Sequence, residues 1–176
     1  MNLTDIFPSK LMIDHFNLRT QEHIKRVSDN MLVVKEYALY LNIPEDGFEK
    51  RRLEHDMDKF SKKQYLPYVW LTEFYRCKRI NTPFSYPDGV KELVNNAVKL
   101  HYKLNSHHPE HWAYLNNMLD IDLLEMVCDW TAIAQEYNEN NGNAGEWARK
   151  NVGTRWNFNM SKIMVIGEAL DILNTE

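Results

Sequence analysis

Residues 18–41, LRTQEHIKRVSDNMLVVKEYALYL, decide the fold class. Their apolar members Ile24, Val27, Met31, Val34, Ala38 and Leu41 recur at steps of three and four, the spacing that gathers side chains on one face of an α-helix. The stretch predicts a long amphipathic helix from about Leu18 to Leu41 that ends before Pro44, because the residue preceding a proline is driven out of the helical region. His23 lies near the start of that helix, on its apolar stripe.

The same period recurs on the C-terminal side. A second helix is expected from Glu45 to Asp56, with Phe48, Arg52 and His55 along one side, breaking near MDKFS. Ser61 followed by Gln64 reads as a capping box opening a third helix to about Arg79, which Pro67 would kink or delay. INTPFSYPDG is a loop, after which Asp88 should cap a fourth helix through Leu104. NSHHPEHW is a non-helical connection, and Asp120 starts a helix with Leu123, Met126, Val127, Trp130 and Ala134 on its core face. After the Asn- and Gly-rich loop NENNGNAG come a short helix around EWARKN and a last one from Met160 to Leu173. Alternating apolar and polar runs are almost absent, so the expected fold is all-α, one domain over residues 1–176.

With 176 residues, such a chain buries a core without disulfides or a structural metal, so a metal here would serve chemistry. The formal charge is −4, and Lys and Arg are dispersed, which argues against a dedicated nucleic-acid binder. MNLTDIFPSK lacks the pattern of a signal peptide and no apolar run is long enough to span a membrane; a cytoplasmic protein is expected. Cys77 and Cys128 have no Cys-x-x-Cys spacing and read as buried reduced thiols.

The chemistry is carried by His55-Asp56 in RRLEHDMDKFSK, together with His23, His101, His107, His108 and Asp129 elsewhere in the chain. A hydrolytic metal site needs imidazoles and carboxylates converging from several elements, with a coordination position left for water. Here they come from different helices, as in bundles that hold metals in their interior. Asp129 stands in a helix of core residues, where a carboxylate without a cation is costly. Glu125, one turn earlier on the same side, is placed to orient a ligand or the attacking water. His15 and His111 read as surface or loop residues, and the aromatics of YLPYVWLTEFY as core, with Tyr65, Tyr68 or Trp70 at a pocket edge.

The order His, His-Asp, His, His-His, Asp on helices resembles the HD-domain superfamily of metal-dependent phosphohydrolases, through EHIKRV, LEHDMDKFS, KLHYKLNSHHPEHW and MVCDW, over roughly Arg19 to Gln135. HDMDKFS, HHPEHW and DW look like a little-characterised HD-related family of bacteria and phages. The resemblance implies an HD-type helical bundle in which His23, His55, Asp56 and Asp129 hold a first metal, with Asp56 able to bridge to a second. His101, His107 and His108 would serve that second ion or contact substrate phosphate; their closer spacing departs from that of binuclear members. It implies Lys59, just after the His-Asp pair, as the cation for phosphate oxygens; Arg19, one helical turn before His23, is positioned to face the same cavity, and Arg76, Lys103 and Arg155 are lesser candidates.

Nitrogen and oxygen ligands without thiolate suit manganese, iron, cobalt, nickel or zinc, as one ion or two. The expected activity is hydrolysis of a small phosphorylated substrate, a nucleotide or a related ester, by metal-activated water. Two other readings share the ligand set: an HD-fold diiron oxygenase, and a non-catalytic ligand-binding or interaction protein that has kept the fold.

Overall fold

The computed structural model describes residues 7–175. The protein is all-α: among the described residues there are eight α-helices, short 3₁₀ turns and no strands, with one isolated bridge between Val152 and Trp156. No helix among them is long and apolar enough to cross a membrane. The chain divides into two compact units, one formed by the stretch up to Glu22 with Asp56–Leu104, the other by His23–His55 with Asn105–Glu176.

Helix α1, Lys10–Val33, contributes its first half to one unit and its second half to the other. It starts earlier than its strongest periodicity predicts, because Ser9 Oγ accepts the Met12 amide at 3.3 Å and Met12, Ile13 and Phe16 supply an apolar face. In the first unit, Met57–Phe60 forms a 3₁₀ turn, followed by α4 at Tyr65–Arg79 and α5 at Val90–Leu104. Phe16, Tyr68, Val69 and Ala97 make one core cluster, with the Phe16 ring edge-on to Tyr65 at 5.2 Å, and Trp70, Val90 and Val94 make a second.

Both helix starts in this unit differ from expectation. The capping box at Ser61 is not used, since α4 begins at Tyr65 and the Gln64 side chain instead donates to Asp58 Oδ2 at 2.5 Å. Pro67 falls in the first turn of α4, where its missing N–H breaks no helical bond. Asp88 is separated from α5 by Gly89, whose φ of +78° makes the turn.

The second unit holds the rest of α1, α2 at Lys35–Tyr40, α3 at Glu45–Glu54, α6 at Asp120–Tyr137, α7 at Gly145–Asn151 and α8 at Met160–Leu173. Val27, Met31, Val34 and Ala38 pack with Leu123, Leu124, Met126 and Val127 of α6 and with Val165, Ile166 and Ala169 of α8. Most of α6 is buried, on every side rather than along one stripe, so each polar residue it carries needs a partner. Asn30 supplies one such link, donating to the Cys128 carbonyl at 3.1 Å. Cys77 and Cys128 are buried free thiols, and burial pushes the Cys128 thiol well up.

Candidate metal centre

In the second unit three candidate ligands meet. His23 comes from α1, Asp129 from α6, and His55 stands just past the last residue of α3, its amide bonded to the Arg51 carbonyl at 3.0 Å. Helix α3 thus ends one residue before His55, where the sequence predicts helix to Asp56. All three side chains are buried, and His23 Nε2 lies 3.1 Å from Asp129 Oδ1. One ligand atom from each lies within 4.8 Å of the others, close enough for the three to be candidates to hold one ion. Two imidazoles and a carboxylate form a donor set that could hold a divalent transition metal.

His55 is oriented from behind. Its Nδ1 lies 2.8 Å from Glu125 Oε1, and a carboxylate can only accept, so Nδ1 carries the proton of this bond, which in the neutral imidazole leaves the lone pair on Nε2. Burial alone would raise the Glu125 carboxyl, but the imidazoles of His107 and His55 overcome it and hold it well below the usual carboxylate range. His107 Nδ1 is 3.2 Å from the same oxygen, and its ring centroid stands 4.6 Å from that of His55. His55, His107 and Glu125 also bring three donor atoms together, but Glu125 is already engaged by His55 and by Arg51, so His23, His55 and Asp129 form the more available set. His108 is half-buried, its ring 4.2 Å from that of His107.

Sequence reasoning missed the group behind Glu125. Arg51 of α3 donates through Nη1 to Glu125 Oε2 at 2.6 Å, and through Nη2 to Asp122 Oδ1 at 2.5 Å and to Ser106 Oγ at 2.7 Å. Ser106 also donates to Asp122 at 2.6 Å, while the other Asp122 oxygen accepts the Leu119 amide at the start of α6. Arg51 and Glu125 are each one helical turn from a candidate ligand, His55 and Asp129, which is the available signal for them.

The first unit holds Asp56, Lys59 and His101. Asp56 has a left-handed backbone, φ 58°, which turns the chain sharply from α3 into the 3₁₀ segment. His101 lies in α5 with Nε2 3.3 Å from Asp56 Oδ1 and Nδ1 2.9 Å from Asp58 Oδ2. Burial would raise the Asp58 carboxyl, yet the hydrogen bond and charge of His101 hold it down. Asp58 therefore stands behind His101 as Glu125 stands behind His55, another role the sequence reading did not assign. Lys59 pairs with Asp56 and lies over the Tyr68 ring at 5.3 Å.

The remaining candidates are dispersed. Arg19 is half-buried on α1, one turn before His23. Arg76 is held by Glu73 at 2.6 Å, Lys103 is exposed, and Arg155 pairs with Glu110 at 2.8 Å on the surface. His111 is exposed and His15 half-buried; Tyr68 and Trp70 are buried core residues, while Tyr65 is half-buried.

The family model that matches this chain covers residues 12–171 and is that of a family of unknown function, DUF5662. No curated protein and no solved structure matches the chain.

Proposed function

The chain belongs to the family of unknown function DUF5662, and from its own side chains we propose that it is a metal-dependent phosphohydrolase acting on a nucleotide or a related small phosphate ester. The observation that carries the proposal is the convergence of His23 from α1, Asp129 from α6 and His55 from just past the end of α3, three buried donors in one unit. The HD-like order of the ligands in sequence supports it, and adds Asp56, the chain neighbour of His55, as a fourth ligand.

Manganese, iron, cobalt, nickel or zinc suits these donors, and such an ion supplies a low-pKa water and charge for a phosphate oxygen. The side chains do the rest. Glu125 holds His55 in the tautomer that presents Nε2, and Asp58 does the same for His101. Lys59 and Arg19 are the cations assigned to the non-bridging phosphate oxygens. The order of the ligands in sequence assigns His101, His107 and His108 to a second ion or to the phosphate itself.

The test is elemental analysis of the purified protein combined with phosphate-release assays on a nucleotide panel in manganese, cobalt, nickel, iron and zinc. Release that requires metal and disappears in His55→Ala and Asp129→Ala is expected. No release in any of these metals, with metal content intact, would sink the reading. Two irons per chain with oxygen consumption would replace it by an oxygenase.

A further inference from the structure

The aromatic stretch of α4 that the metal chemistry does not use lines a second site. In the first unit Phe74 and Tyr75 of α4 face Phe84 and Tyr86 of the loop that follows, around a cavity of about 620 Å³ whose far wall is α5. The rings form a connected group: Phe84 is edge-on to Tyr86 at 4.9 Å, and Phe74 contacts Phe84 at 5.8 Å and Tyr86 at 5.9 Å. Tyr75 is half exposed, so part of this aromatic wall faces open space. A cavity of this size is in the range that takes a small molecule, and aromatic walls bind flat rings by stacking.

The charges lining the cavity have one sign. Among the described residues they are Lys91 and Lys99, and no carboxylate lines it. Both ammonium groups are exposed, and neither forms an ion pair with another described residue. Eight residues of helix at 1.5 Å each put their Cα atoms about 12 Å apart, so the lysines flank the aromatic wall along α5. An apolar pocket with aromatic walls and two cations that pair with no described residue selects a ligand that is flat at one end and anionic at the other.

We propose that this cavity is a binding site for a nucleoside monophosphate, with the base against Phe74, Tyr75, Phe84 and Tyr86 and the phosphate at Lys91 or Lys99. None of these residues belongs to the candidate metal ligands, so the site holds its ligand with the metal removed. It goes beyond the proposed hydrolysis and stands or falls separately from it.

The experiment is calorimetric titration of the full chain in EDTA with AMP, GMP, CMP and UMP, using adenosine and inorganic phosphate as single-group controls. Saturable binding of at least one monophosphate is expected, with its nucleoside and free phosphate each weaker by about tenfold or more. Lys91→Glu combined with Lys99→Glu should weaken the nucleotide about tenfold and leave adenosine unchanged, while Tyr75→Ala should weaken both. These residues are exposed, and circular dichroism with a thermal melt confirms that the variants fold. The metal-site variant His55→Ala should bind as the parent does. The proposal is overturned by absence of saturable binding for all four nucleotides, by affinity that ignores the lysine and tyrosine substitutions, by loss of binding in His55→Ala, or by an oligonucleotide binding where no mononucleotide does.

Discussion

His55 Nδ1 and Glu125 Oε1 lie 2.8 Å apart, both side chains buried, and this bond sets which imidazole nitrogen of His55 donates to the carboxylate. The carboxylate is doubly anchored, by His55 on one oxygen and Arg51 on the other. It therefore works as a fixed acceptor, and His55 has one orientation.

Glu125→Ala should lower metal affinity by about 10–100-fold, the usual loss when the partner behind a histidine ligand is removed. Glu125→Gln, whose amide oxygen still accepts from Nδ1, should lose less. Competition with a chromogenic chelator measures both; equal affinity of all three proteins would show that Glu125 does not act through His55.

Arg51→Met removes the cation shared by two carboxylates that stand one turn apart on α6 and are almost wholly buried. Breaking a buried pair from one side costs about 3–5 kcal/mol, because the surviving charges lose their compensation. Urea denaturation should show a loss of this size. Arg51→Lys should lie between the two, since an ammonium group cannot reproduce the fork that reaches Glu125, Asp122 and Ser106.

Asp56 carries its side chain on a left-handed backbone, φ 58°. Alanine keeps the Cβ that this conformation disfavours and glycine does not, so Asp56→Gly should unfold at higher urea than Asp56→Ala by about 1 kcal/mol. Both variants lack the carboxylate and should lose metal-dependent phosphate release alike. Higher stability for the alanine variant would contradict the strain argument.

Glu73 offers a pH test remote from the metal ligands. The hydrogen bonds from Arg76, at 2.6 and 2.8 Å, hold its carboxyl below the ordinary 4.5 against the opposing effect of burial, with a further bond from Cys77 Sγ. A carboxylate with a depressed folded pKa stabilises the fold above its unfolded pKa, and that contribution is lost as pH falls through the folded value. Arg76 is 34% exposed, which limits the contribution to about 0.5–1 kcal/mol. Glu73→Gln should therefore be less stable than the parent at neutral pH, and the gap should narrow as unfolding is followed to acid pH, down through the folded value.

The helices were readable because their cause is local. Val27, Met31, Val34 and Ala38 are core residues, as their spacing predicts, and α6 and α8 begin at Asp120 and Met160 as expected. Helix starts were less readable where a side chain had a better distant partner. Gln64 reads as half of a capping box with Ser61, but Asp58, which also accepts from His101, takes its amide instead.

The sequence by itself determined that the protein is helical and which imidazoles and carboxylates are candidates for a metal, because a 3.6-residue period and unusual polar residues in apolar helices are visible along the chain. Only the tertiary structure decided which of them meet. Arg51 reaches Asp122 and Glu125 across 71 and 74 residues, and His55 reaches Glu125 across 70. Hydrogen bonds of this kind depend on how helices pack to within a fraction of an ångström, and that register is set by the core rather than by the spacing of the polar residues themselves.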